Sequence, residues 1–159
     1  MIQTPSNSSS FSRRHFPELL LALSFALFAT GCADQPNAVF EEAVQFNSTP
    51  ANATISIDGS NIGSTPTQAV LSKQSDTHII IAKPGFVSAD FYEHGVDGHV
   101  QPNPVNVALK TDLLPDKPGP NPAAEMATCL DNLKKYVAIG TISADDEPYV
   151  EKQIRDFYK

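Results

Sequence analysis

Four residues in one short stretch, Glu93, His94, Asp97 and His99, are of the types that bind metal ions. Imidazole nitrogen and carboxylate oxygen ligate zinc or a similar cation, and Gly95 and Gly98 would let the backbone turn around it. The two histidines stand five apart in a polar segment and match no fixed ligand spacing. The first reading of His94, Asp97 and His99 is therefore an exposed loop, with metal binding as its rival and no cofactor expected. Just upstream, Phe91 and Tyr92 are aromatic side chains of the kind that stack on sugars, although the chain has no tryptophan. His78 stands alone at the start of an apolar run and reads as structural or exposed. No serine or threonine sits in a nucleophile elbow or beside a histidine and acid that could activate it. The sequence also has no glycine-rich phosphate loop, no Cys-x-x-Cys pair and no dinucleotide fingerprint. The chemistry expected is recognition, without catalysis. Eleven basic residues against 18 acidic ones leave a net charge of -7, the wrong sign for gripping a phosphate backbone, so nucleic acid is set aside.

These residues sit behind an N-terminal address. Residues 1–18 are polar and carry Arg13 and Arg14, and Leu19–Ala29 is an uncharged apolar run. A membrane-spanning helix needs about 20 apolar residues, so this run is too short and reads as the core of a secretory signal peptide. It leads into Ala29-Thr30-Gly31-Cys32, which resembles the lipobox of bacterial lipoproteins, with alanine where leucine is usual three places before the cysteine. The resemblance implies cleavage before Cys32 and acylation of that residue, hence a signal peptide at 1–31 and an acylated cysteine with its tether at 32–42. Two or more acyl chains anchor stably, since each buried CH2 contributes about 0.8 kcal/mol. Ser12-Arg13-Arg14-His15-Phe16 resembles the opening of a twin-arginine export signal, with Pro17 and Glu18 in place of its usual continuation. By the sorting rules of many such lipoproteins, Ala33 permits the outer membrane, facing the periplasm, with the cell surface as the alternative. In that setting the two Asn-x-Thr patterns at Asn47 and Asn52 are incidental.

Residues 43–111 alternate like a sheet with one buried face. Val44 and Phe46 share a side, as do Ala53, Ile55 and Ile57, then Val87, Ala89 and Phe91, then Val105, Val107 and Leu109. His78–Ala82 reads as a central strand. Asp58-Gly59 supplies positive φ for a hairpin, Pro84-Gly85 marks a looser corner, and Thr65-Pro66 breaks a strand. The order Asn47-Ser48-Thr49-Pro50, Ala53–Gly59 (ATISIDG), Gly63-Ser64-Thr65-Pro66, Ile79–Phe86 (IIIAKPGF) and Val105–Leu109 (VNVAL) resembles a PEGA domain. That resemblance implies a small β-sandwich in bacterial envelope or extracellular proteins, with a binding or structural role, no established catalysis and no transferable set of functional residues. The polar segment Tyr92–Pro104 is longer than the family's connection at this place.

Four prolines within residues 112–123 suggest a semi-rigid spacer. Beyond it, residues 124–159 carry helical periodicity: Met126, Cys129, Leu130, Leu133 and Val137 form one stripe that stops at Gly140, and Val150, Ile154 and Phe157 form another starting near Asp146. Two such helices cannot bury both stripes alone, so they must pack on the sandwich, a second copy or a partner. Cys129, left unpaired if Cys32 is acylated, reads as a small buried hydrophobe, with an intermolecular disulfide as the rival. The expected architecture is mainly β, a PEGA-type sandwich followed by a Pro-rich linker and a short two-helix segment. The expected function is that of a non-enzymatic, membrane-anchored envelope lipoprotein that binds or scaffolds other proteins; the alternative is a protein that binds peptidoglycan or surface polysaccharide.

Overall fold

The computed structural model describes residues 39–159; the signal segment, Cys32 and the start of the tether lie outside the described residues. Eight strands precede two helices: β1 (Glu41–Thr49), β2 (Thr54–Ile57), β3 (Ser60–Ser64), β4 (Thr67–Ser72), β5 (Thr77–Ala82), β6 (Ala89–Val96), β7 (His99–Gln101), β8 (Val105–Ala108), α1 (Pro122–Ala138) and α2 (Glu147–Phe157). The strands form a three-stranded sheet in the order β4-β1-β8 and a five-stranded sheet in the order β3-β2-β5-β6-β7. Their inward residues meet between the sheets: Val44 and Phe46 from one side, Ile55, Ile79 and Ile81 from the other, all fully buried. This is the sandwich that alternation with a period of two requires, and β5 is central in its sheet as expected.

Local chemistry sets the turns. Asp58 (φ 48°) and Gly59 (φ 79°) close the β2–β3 hairpin with two consecutive left-handed residues, the geometry whose twist suits adjoining strands. The same dipeptide recurs at Asp97 (φ 52°) and Gly98 (φ 78°). The polar segment read as a loop is consequently a hairpin: β6 runs on to Val96 and β7 returns along it, pairing Val96 with His99 and His94 with Gln101. Val87, grouped by alternation with Ala89 and Phe91, lies ahead of β6 and is exposed.

The C-terminal segment departs most from expectation. Residues 112–123 do not hold two modules apart. Thr111 is fully buried, Leu113 and Leu114 pack on the core, and α1 begins inside the proline-rich stretch, with Pro122 in its first turn and Asn121 accepting from Ala124 N. Proline serves there because a first-turn residue needs no N–H partner. Cys129, Leu133, Ile142, Val150 and Ile154 are buried in the same cluster as the sandwich residues. Tyr149 Oη and Gln153 Nε2 both donate to Leu109 O, at 3.1 and 2.7 Å. The described residues thus fold as one compact unit. Gly140, at φ 77°, stops α1 where the sequence places the stop, and Asp146 is the N-cap position of α2. Among the described residues no helix is long and apolar enough to cross a membrane.

Candidate functional site on the five-stranded sheet

Strand pleating divides the sequence candidates between two faces. Along β6, Ala89, Phe91 and Glu93 point towards the core, whereas Asp90, Tyr92, His94 and Val96 are exposed. Phe91 and Tyr92 therefore cannot form one sugar platform: Phe91 packs on the core and Tyr92 is 62% exposed. Pairing of β5 with β6 sets His78 opposite Tyr92, and the two rings stack with centroids 4.7 Å apart and planes 18° from parallel. His78 Nε2 lies 2.7 Å from Asp90 Oδ1. An ionised carboxylate only accepts, so Nε2 carries the proton and donates, which also fixes the ring's tautomer. The backbone N–H of His78 donates to Asp58 Oδ1 at 2.9 Å, so the histidine is held at both main chain and ring. Tyr92 is thereby a rigid aromatic ring, backed by imidazole on one side and flanked along its own strand by Asp90 and His94. Its geometry suits recognition of a ligand or partner surface, because little side-chain entropy remains to be lost on binding.

The metal candidates do not converge. Glu93 faces inward and is buried; loss of hydration pushes its carboxyl above the ordinary value of 4.5, against a weaker downward pull from His94. His94 lies on the outward face, Asp97 forms the hairpin turn, and His99 approaches Glu42 Oε2 at 3.4 Å. Glu42 also accepts the Val100 N–H at 2.9 Å, and that bond is the main reason its carboxyl sits below the usual range. These contacts join β7 to β1 and close one side of the sandwich. No group of three or more His, Cys, Asp or Glu that could hold a metal occurs among the described residues.

A separate groove of about 460 Å³ runs beside α1, lined by Pro115, Lys117, Ala124, Thr128, Cys129 and Tyr158 among others. Cys129 is a free, buried thiol whose Sγ donates to Leu113 O at 3.4 Å, in keeping with the small-hydrophobe reading. Burial, with Cys129 next to it, pushes the Tyr158 hydroxyl up to about 12.

Sequence reading missed His78 as a member of this face. Its part follows from the register across the corner between β5 and β6, and a six-residue connection does not fix register as a two-residue hairpin does.

A sandwich of two small sheets, with a glycine corner after its central strand, is the architecture of a small β module. Residues 42–91 match the PEGA domain family, and the chain contains a PEGA domain. The match ends inside β6, so β7, β8 and both helices lie beyond it. No curated protein and no solved structure matches the chain.

Proposed function

We propose that this is a lipid-anchored protein of the bacterial envelope whose PEGA unit works as a non-enzymatic protein-interaction module. Cys32 would carry the acyl chains, palmitate among them, and hold the folded unit at the outer membrane on the periplasmic side. The anchor reading is supported by the short apolar run ending in Ala29-Thr30-Gly31-Cys32. The interaction reading is carried by one observation: Tyr92, 62% exposed, stacked on the His78 ring, which the Asp90 carboxylate holds in place. Rigid, half-wet aromatic rings of this kind are the usual anchors of protein interfaces.

Two measurements on the full-length protein in cells test the two halves separately. A palmitate analogue should label the wild type and not Cys32→Ala; equal labelling of both removes the anchor. A photoreactive amino acid at His94, which shares the outward face of β6 with Tyr92, should give a discrete crosslinked protein adduct, while the same group at exposed Asp131 on α1 should not. Absence of any protein adduct at 94 removes the interaction face.

A further inference from the structure

The outward side of the three-stranded sheet carries a row of amides that the face around Tyr92 does not use. Gln45 and Asn47 are two apart on β1 and share a side; Gln68 on β4 lies opposite Gln45, and Asn106 on β8 opposite Asn47. Three of them form a directed line. Gln45 Nε2 donates to Asn47 Oδ1 at 3.3 Å, Asn47 Nδ2 to Asn106 Oδ1 at 3.0 Å, and Asn106 Nδ2 to Pro104 O at 3.3 Å. Gln45 spends its second N–H on Phe46 O. An amide offers two N–H donors and two acceptor lone pairs. Asn47 and Asn106 each therefore keep one spare donor and one spare acceptor, side by side and held in orientation by the line itself. The same two residues, with Ser48, Thr49, Val107 and Ala108, border a hollow of about 140 Å³.

Charge is kept away from the Asn47–Asn106 end of this array, while at the other end Asn103, which accepts from the Gln45 N–H, donates to the Glu42 carboxylate. The next charged residue along its side of β1 is Glu41, six residues from Asn47 and so roughly 20 Å away at the strand's rise per residue. Beyond β8, the Lys110 ammonium lies over the Phe157 ring at 5.8 Å.

We propose that the Asn47–Asn106 face binds an uncharged, polyhydroxylated glycan, one sugar residue at a time in the hollow. A sugar hydroxyl is at once donor and acceptor, so a neighbouring pair of hydroxyls matches a fixed donor–acceptor pair on each amide. The array holds no cation to hold an acidic polymer, and the chain's net charge of -7 opposes one. The hollow is small and lacks an aromatic wall, so affinity per sugar is weak. The envelope reading bears only on where such a glycan would be met.

The full-length protein in a non-glycosidic detergent is titrated calorimetrically with maltoheptaose, with chitohexaose and with polygalacturonate. Expected is saturable binding of at least one neutral oligosaccharide, insensitive to salt between about 50 and about 500 mM. Asn47→Ala/Asn106→Ala should weaken it at least about tenfold, as should Asn47→Asp/Asn106→Asp, which preserves side-chain shape, while Tyr92→Ala leaves it unchanged. Unaltered circular dichroism of the variants guards against loss of fold. Several results overturn the proposal: no saturable binding of either neutral probe, binding of polygalacturonate alone, binding lost only in Tyr92→Ala, or sedimentation showing a dimer that the Asn47 and Asn106 substitutions dissociate, which would give the face to a second copy. Palmitate labelling at Cys32 is read independently, so failure here and failure of the anchor are distinguishable.

Discussion

Lys83 Nζ lies 2.7 Å from Asp146 Oδ2, with 12% and 10% of the two side chains exposed. This ion pair ties the corner after β5 to the N-cap of α2, and Lys83 also donates to Ala51 O at 2.5 Å. Asp146 makes no side-chain cap to its own helix; its charge is directed at the lysine instead. Removing one member of such a pair strands the other in a site with little water. Lys83→Met should cost about 3 kcal/mol, and Lys83→Met/Asp146→Leu should recover most of it, because an apolar pair of similar volume avoids the desolvation of both charges. Urea denaturation measures both. A double variant no more stable than the single would show that the corner needs the charges themselves.

Gly85 is constrained twice. Its φ of 81° is one that side chains rarely adopt, and a Cβ there would stand 2.4 Å from Ile142 Cγ1. Gly85→Ala should cost about 1–2 kcal/mol for backbone strain and about 1–3 kcal/mol for overpacking. Adding Ile142→Ala removes the clash while leaving the strain and opening a small cavity. The coupling in a double-mutant cycle should therefore be favourable by at least about 1 kcal/mol; strict additivity would place Ile142 out of contact with the corner.

Glu93 sets a pH dependence whose sign follows from the direction of its shift. Burial raises its folded-state pKa above the ordinary 4.5, so the folded protein holds this proton more tightly than the unfolded chain does. Its contribution to stability is full below about pH 4.5 and is lost as the pH rises through the folded value. Glu93→Gln, which cannot ionise, should stabilise the protein at pH 7 by on the order of 1 kcal/mol and change nothing at pH 4. Thermal melts at the two pH values provide the comparison. Equal effects at both would mean that the carboxylate is not desolvated.

Much of the sandwich was legible because its signals are local. Alternation in Val44/Phe46 and Ala53/Ile55/Ile57, the Asp58-Gly59 hairpin and the Gly140 stop each depend on a few adjacent residues. The hairpin at Asp97-Gly98 carried the same signal as Asp58-Gly59, but the polar residues around it hid the strands. Two features were not legible. The stacking of His78 on Tyr92 and the amide line through Asn47 and Asn106 arise from register between strands joined by long connections. Docking of the helices rests on Gly85 meeting Ile142 and Lys83 meeting Asp146, pairs separated by more than fifty residues in the chain. Prolines at 115–122 read as a stiff spacer by composition, yet the Leu113 and Leu114 side chains just ahead of them decide the path by packing on the core.

That path makes the helical segment indispensable. It contributes Leu133, Ile142, Val150 and Ile154 as fully buried side chains, each worth about 1.5–3 kcal/mol by burial. Their sum is comparable with the whole stability of a domain, about 5–15 kcal/mol. A chain ending at Ala123 should therefore lose cooperative unfolding and bind a hydrophobic dye. A truncated chain that melts cooperatively near the parent's midpoint would restore the picture of two separable modules.

Adjacent residues Phe91 and Tyr92 offer the sharpest separation of fold from recognition, because pleating sends them to opposite faces of β6. Phe91→Ala removes a ring packed on the core and should cost about 3 kcal/mol, lowering the melting temperature by ten degrees or more on the usual scale of about 4–8 °C per kcal/mol. Tyr92→Ala removes an exposed ring whose main contact is the His78 stack, worth about 0.5–1.5 kcal/mol. Its melt should move by only a few degrees, while the interaction face loses its anchor. With a photoreactive group at the neighbouring outward position His94, the protein adduct should vanish in Tyr92→Ala and persist in Phe91→Ala at a temperature where both are folded. The reverse pattern would move recognition to the inner face, where only an opened sandwich could offer it.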